Sequence, residues 1–309
     1  MSIRPSSPPP PKKPRVSPWL LLGRVSNLPT VWSNALAGIA IATTAQAASG
    51  VATPAPSAAH VLSLALALSL AYVGGMYLND AFDREFDAQH RPERPIPSGA
   101  VSARAVLTLG FGMLALGVVI AAAAGFARTQ SPAAGIAAAA LAATIVVYDV
   151  RHKGNPLSPV LMGLCRALVY ATAALATYSA FTPGLFIGAI ALLGYLIGLT
   201  YIAKHESGGS IVRLWPLVPL AVPVLHGALA PGLAPNALAL ALLAHTALNL
   251  RLVLSPAHRN VPKAVSQLIA GISLVDAIAI AATGLPELSL LAIAAFSLTR
   301  IFQRVVPGT

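Results

Sequence analysis

The chain has 309 residues, of which 56% are hydrophobic and only 9% charged, with a formal net charge of +11. That balance excludes a water-soluble globular protein, because apolar runs of about twenty residues, long enough to cross a bilayer as helix, recur along nearly the whole chain. It also excludes nucleic acid as the reason for the basic charge, since Lys and Arg gather in alternate loops as membrane topology requires, and the lone Cys165 excludes an internal disulfide.

Residues 1–19, which open MSIRPSSPPPPKKPRVSP, are rich in Pro, Ser and basic residues and have no apolar face. We read them as a disordered tail, followed by one transmembrane domain over 20–305. Arg24 interrupts the short WLLLG run, which argues against a cleaved leader. The hydrophobic pattern then predicts spans near 28–48, 58–80, 102–125, 132–149, 157–178, 183–203, 213–230, 235–254, 262–282 and 286–303, giving nine or ten crossings. The fold class is an all-α, polytopic membrane helix bundle. Pro216, Pro219 and Pro223 predict a kinked seventh span. Gly184 with Gly188, and Gly194 with Gly198, give the sixth span two small-residue faces for close packing.

Charge decides the orientation. Arg24 and the basic tail precede the first span, Arg84, Arg91, Arg94 and Arg104 follow the second, and Arg151 and Lys153 follow the fourth. Lys204 and Arg213 follow the sixth, Arg251, Arg259 and Lys263 surround the eighth-to-ninth loop, and Arg300 and Arg304 end the last. The opposite loops hold only Arg128. By the positive-inside rule both termini face the cytoplasm, and the compartment we expect is a bacterial inner membrane.

The chemistry-bearing residues fall on that same side. Five of the nine acidic residues lie between 80 and 93, where the second span ends in NDAFDREFD. If the helix continues, Asn79, Asp83 and Asp87 recur every four residues and share a face that drifts by about 40° per step; Asp80 borders it. Carboxylates crowded in this way repel one another unless a cation lies between them. Hard oxygen donors in a partly open array suit Mg²⁺, which keeps waters and takes phosphate oxygens as its remaining ligands.

Three further segments join them. The proline-stiffened loop AQHRPERPIPSGAVS offers Arg91 and Arg94 to phosphate oxygens that a metal leaves free. YDVRHKGNP supplies Tyr148, Asp149, Arg151 and Lys153, and YIAKHES supplies Lys204, His205 and Glu206. Arg166, in MGLCRALVY, lies about 14 Å along its helix, a depth at which a charge faces a cavity or a partner; we expect it to line the cavity near a diphosphate or an acidic acceptor. Asp276 falls in the far half of its span and reads as a structural hydrogen-bonding group, and no ligand spacing links His226 with His245.

These residues resemble the UbiA superfamily of intramembrane prenyltransferases. NDAFDREFD fits that family's first aspartate-rich pattern NDxxDxxxD, and RPERPIPSG fits the loop that follows it. The first span, GRVSNLPTVWSNALAG, has the family's Arg, Asn and Gly as Arg24, Asn34 and Gly38, and Tyr148 with Lys153 resembles its Tyr-plus-basic segment. The resemblance implies a helix bundle around a central cavity open to the cytoplasm. It implies a prenyl diphosphate and a lipophilic acceptor, aromatic or other, as partners within membrane lipid, and Mg²⁺ as cofactor. Asn79, Asp80, Asp83, Asp87 and Glu206 would hold the metal, with Lys153 in the catalytic set; Arg24, Asn34, Arg91, Arg94, Tyr148, Arg151, Arg166 and Lys204 would bind substrate. The family's second pattern, DxxxD, is absent, and YIAKHES stands in its place with one Glu. A non-catalytic or altered-chemistry isoprenoid-binding relative and a membrane transporter are the alternative functions.

Overall fold

Where the apolar runs end, a capping residue or a proline stops or starts each helix. In the computed structural model, which describes residues 16–50, 54–204, 214–255 and 259–308, Ser57, Ser102 and Asn260 each accept a hydrogen bond from a backbone N–H of the first helical turn. The described elements, all helical, are α1 (Pro18–Leu22), a 3₁₀ turn (Val25–Asn27), α2 (Leu28–Ala48), α3 (Ala58–Phe82), α4 (Arg84–His90), α5 (Ala103–Thr129), α6 (Ala133–Arg151), α7 (Ser158–Thr177) and α8 (Pro183–Lys204). A second 3₁₀ segment (Trp215–Ala221) leads into α9 (Val222–Leu229), then α10 (Leu233–Leu254), α11 (Val261–Ala281) and α12 (Pro286–Phe302). Helix α1 begins at the end of the segment expected to be tail, with Pro18 and Trp19: Trp19 packs its ring 5.7 Å from that of Tyr77, and its carbonyl accepts the Tyr77 hydroxyl.

Seven of these helices, α3, α5, α6, α7, α8, α10 and α11, are long and apolar enough to cross a bilayer. The expectation of nine or ten crossings also counted three elements outside that set. Helix α2 has the length, with 21 residues, but its Ser33 and Asn34 are polar groups that pair inside the bundle. The Trp215–Leu229 element is short, and Pro216, Pro219 and Pro223 break its helical ladder as expected. Helix α12 has 17 residues.

Helices α2 and α11 form the middle of the bundle. Along the crossing window of α11, 83% of residues are buried inside the protein, and α2 packs against α3, α7, α11 and α12. Small residues permit these approaches: a Cβ on Gly38 of α2 would come within 2.7 Å of the Tyr170 carbonyl oxygen on α7. On α8, Gly188 faces Ile41 and Tyr170, while Gly194 and Gly198 face Pro219 and Leu220 of the 3₁₀ segment, so both expected small faces are used. Successive helices run antiparallel, which brings the ends of α3, α6 and α8 and the start of α7 to one end of the molecule. Arg128 lies at the other end and donates to the carbonyls of Thr177 and Pro54.

Candidate active site

The acidic stretch is nearly one helix. Backbone hydrogen bonds from Asp83 N to Asn79 O, Asp87 N to Asp83 O and Arg91 N to Asp87 O, at 3.0, 2.8 and 2.7 Å, carry the four-residue ladder through the α3–α4 junction at Asp83. The side chains nevertheless divide. Asp80 Oδ1 accepts from Arg24 Nη2 at 3.3 Å and Arg94 Nη1 at 3.4 Å, and Asp87 Oδ2 accepts from the same Arg94 nitrogen at 2.9 Å. Asp83 turns the other way, with Oδ1 2.8 Å from Lys153 Nζ and Oδ2 3.4 Å from His152 Nε2. The repulsion expected among the carboxylates is therefore relieved by guanidinium and ammonium groups.

Backbone geometry supports this arrangement. Arg24 is held at φ 41°, ψ 46° between α1 and the 3₁₀ turn, a left-handed conformation that costs a non-glycine residue roughly 1–3 kcal/mol. Packing compensates, since the Tyr72 hydroxyl reaches the Arg24 carbonyl and the side chain reaches buried Asp80. Lys153 also lies 4.0 Å from the centroid of Phe86, whose ring stacks on His90.

Three cavities meet at Tyr148. The first, of about 580 Å³, is a polar mouth lined by Arg24, Asn79, Asp83, Asp87, Arg91, Arg94, Tyr148, Lys153 and Lys204, among others. The second, of about 80 Å³, is apolar, and among the described residues its charged lining is confined to Asp149 and Arg166. The third, of about 220 Å³, is lined by Arg24, Arg91, Arg94 and Arg166 and by the apolar Leu196, Val265, Ile269 and Ile272, among others. Tyr148 borders all three, with its ring stacked on His152 at 5.1 Å.

The residues singled out in the sequence fall into three groups. Asn79, Asp83, Asp87, Arg24, Arg91, Arg94, Tyr148, Lys153 and Lys204 converge on the mouth, with Asp80 beneath it on Arg24 and Arg94. Lys204 donates to the Asn155 carbonyl at 2.7 Å, which ties the end of α8 to the α6–α7 loop. Two residues lie deeper: Arg166 donates to Asn34 Oδ1 at 2.8 Å, and Asn34, fully buried, donates from Nδ2 to both oxygens of Asp276. Asn34 thus reaches the cavities only through Arg166. The last group stands apart. Arg151 is exposed at the end of α6 and borders none of the three cavities, because two residues beyond Asp149 it falls on the opposite side of the helix from that buried carboxylate. Glu206 and His205 lie outside the described residues.

The structure adds residues that the sequence pattern left without a role. His152 joins Asp83, and buried Asp149 accepts from Asn79 Nδ2 at 3.1 Å. Both stand in YDVRHKGNP, where polar residues at the end of an apolar run were the available signal. The C-terminal segment also reaches the third cavity: Gly308 lines it and accepts from Asn27 Nδ2 at 2.9 Å, and Gln303 donates to Asn27 Oδ1. Nothing in the sequence pattern marks that contact.

Among the described residues no three His, Cys, Asp or Glu side chains form a ready-made metal cage. The donors at the mouth are nevertheless hard oxygens, from Asp83, Asp87 and Asn79, with Asp80 beside them. That set suits an ion that takes one or two protein carboxylates and completes its shell with phosphate and water.

The UbiA prenyltransferase family model matches residues 31–208, more than half of the chain and the part that carries the mouth. Among curated relatives, a digeranylgeranylglyceryl phosphate synthase of Metallosphaera sedula is 30% identical over 161 residues, 52% of this chain and 43% of the relative. One from Methanopyrus kandleri is 40% identical over 84 residues, 27% of this chain and 29% of the relative. The matches thus span less than half the length of these relatives. Among solved structures, one of a digeranylgeranylglyceryl phosphate synthase superposes with a TM-score of 0.58 at 18% identity, covering 91% of this chain and 98% of the other. A UbiA homologue from Archaeoglobus fulgidus bound to GPP and Mg²⁺ superposes with a TM-score of 0.56 at 17% identity, covering 91% and 100%. At such identities the superpositions establish the fold.

Proposed function

We propose, for a chain that belongs to the UbiA prenyltransferase family, that this integral membrane protein moves an isoprenoid group from a prenyl diphosphate to a lipid alcohol that carries a phosphate. The observation that carries the reading is the convergence on Tyr148 of a cation-rich mouth, an apolar pocket and an Arg-lined third cavity. The diphosphate would occupy the mouth, where Arg91, Arg94, Arg24 and Lys153 supply positive charge. The allylic end of the prenyl chain would enter the apolar pocket between α3, α6 and α7. The acceptor phosphate would meet Arg166 and its neighbours in the third cavity. The names of the archaeal relatives support a glycerol phosphate lipid as acceptor.

Asp83, Asp87 and the Asn79 carbonyl, with Asp80 adjacent, would hold Mg²⁺ together with the diphosphate. When bound, the ion neutralises the leaving group, whose negative charge otherwise opposes departure. In the transfer the bond from the allylic carbon to the diphosphate oxygen breaks, its electron pair leaves with the diphosphate, and the acceptor hydroxyl oxygen bonds to that carbon and gives up its proton to the departing diphosphate. Arginine and lysine side chains fixed by their carboxylate partners stabilise the departing charge without having to reorganise. Apolar walls keep water from the developing carbocation. The one-sided basic loops support a cytoplasmic mouth.

The test is direct. Purified protein with Mg²⁺, geranylgeranyl diphosphate and geranylgeranylglyceryl phosphate should release diphosphate and form a doubly prenylated lipid. Hydrolysis without a prenylated lipid would overturn the acceptor assignment, and no diphosphate release at all would overturn the transferase.

A further inference from the structure

Asp149 takes no part in the ion pairs that hold the mouth together. It is 4% exposed, its Oδ1 accepts from Asn79 Nδ2 at 3.1 Å, and its buried Oδ2 has no hydrogen-bond partner among the described residues. Burying a carboxylate with one oxygen unmatched is costly, and a role confined to packing would be met more cheaply by an apolar residue of similar size. The carboxylate does something an apolar residue cannot. Its Oδ1 accepts from the Asn79 NH₂ and so holds that amide with its nitrogen toward α6. The other end of that amide, Oδ1, is then left for the mouth, which Asn79 lines together with Asp83 and Asp87.

We propose that Asp149 is a positioning residue that locks the Asn79 amide with its carbonyl oxygen presented to the metal ion of the mouth. The inference rests on the reading of the mouth as a metal-dependent diphosphate site and assigns the part played by α6 in building it. Acids that orient metal ligands from behind govern affinity strongly, and their loss typically costs about 10–100-fold in metal binding.

Exchanging the two side chains tests it. N79D alone sets a second carboxylate against Asp149. D149N alone leaves two amides free to pair in either orientation. The exchange N79D/D149N restores a fixed pair, in which the amide now on α6 donates and a carboxylate oxygen on α3 faces the mouth. Mn²⁺ binding by the purified full chain, read by loss of the free-ion electron spin resonance signal, is measured with and without the uncleavable S-thiolo analogue of geranyl diphosphate, beside a thermal melt of each variant. The expected result is analogue-dependent Mn²⁺ binding weakened about tenfold or more in D149N and in N79D, and recovered to within about threefold in the exchange. Recovery of the melting temperature without recovery of Mn²⁺ affinity would mark the pair as structural and overturn the inference. Mn²⁺ affinity unchanged in D149N would overturn it alone, leaving the metal-dependent reading intact. If the unsubstituted chain binds no Mn²⁺ with the analogue, that broader reading fails and the inference with it.

Discussion

Lys153 Nζ lies 2.8 Å from Asp83 Oδ1 and 4.0 Å from the Phe86 ring centroid, so one ammonium bridges the loop after α6 to the junction of α3 and α4. The pair joins segments far apart in the chain and sets the cation against the carboxylate that a metal would need. A diphosphate and its metal, arriving together, would exchange those partners: the ion takes the carboxylate and the ammonium takes a phosphate oxygen.

Asp83→Asn should therefore abolish metal-dependent binding of geranyl diphosphate while leaving the fold, because the group sits at a hydrated mouth. Lys153→Ala should weaken that binding by about 1.5–3 kcal/mol, the range for a hydrogen bond to a charged group. Titration calorimetry with Mg²⁺ present measures both, and undiminished binding by Asp83→Asn would remove this stretch from the metal site.

The same carboxylate predicts a pH dependence for the ligand-free protein. Burial opposes charge on Asp83, but the hydrogen bonds from His152 and Lys153 outweigh it and lower its pKa. Burial likewise opposes charge on His152, and Asp83 outweighs that and raises its pKa. The lowered Asp83 contributes stability above the ordinary carboxylate value, lost as pH falls through its folded pKa; the raised His152 contributes fully below the ordinary imidazole value, lost as pH rises through its folded pKa. The melting temperature should thus be higher near about pH 5.5 than near about pH 8, and His152→Gln should flatten the difference. An unchanged slope in that variant would assign the effect to other groups.

Within the membrane region, Asp276 accepts from Ser33, Asn34 and Tyr170, and Asn34 in turn accepts from Arg166. Asp276→Ala would strand the Asn34 and Tyr170 donors and leave the Arg166 charge without its nearby carboxylate, at a cost of about 3–5 kcal/mol. Asp276→Asn, which keeps the shape and one acceptor oxygen, should cost less. Unfolding in mixed detergent micelles gives the ranking, and equal stability of both variants with the parent would mean the network contributes nothing.

Gly38 limits how far α2 stands from α7. An added Cβ would lie 2.7 Å from the Tyr170 carbonyl oxygen and 2.9 Å from the Ala173 Cβ, and backbone cannot move aside as a flexible side chain would. Gly38→Ala should destabilise by about 1–3 kcal/mol, as overpacking does. Gly112, which has open space around its Cβ position, is the control and should tolerate Ala.

Topology is open to a fusion experiment. Reporters joined at residue 309 and at the N-terminus should both read as cytoplasmic, because Lys and Arg flank one set of helix ends and Arg128 alone marks the other. Opposite readings at the two ends would require an odd number of crossings.

Hydrophobicity and its interruptions are local properties, and the chain order states them outright. The bounds of α2, α3, α7 and α8 lie within a few residues of the apolar runs in the sequence, because each run must satisfy its own backbone inside lipid and only a helix does so without partners. The acidic stretch, the Arg-rich loop and the Tyr-plus-Lys segment were legible for the same reason, as dense charge placed where apolar sequence stops. The pairing of those charges was not legible. A four-residue repeat put Asn79, Asp83 and Asp87 on one face, yet Asp83 faces Lys153, Asp87 faces Arg94, and Asn79 faces Asp149.

The sequence by itself thus determined an all-helical membrane protein with its chemistry gathered at one end. Only the tertiary structure decided which charges face each other, that Asn34 serves Arg166 instead of the cavity, and that Arg151 turns outward. The physical reason is reach. Helix formation and membrane insertion are settled by neighbours within a few residues, whereas an ion pair or a cavity wall depends on how helices from distant parts of the chain rotate and approach. Small residues such as Gly38 and Gly194 govern that approach, and their effect exists only once the partner helix is in place.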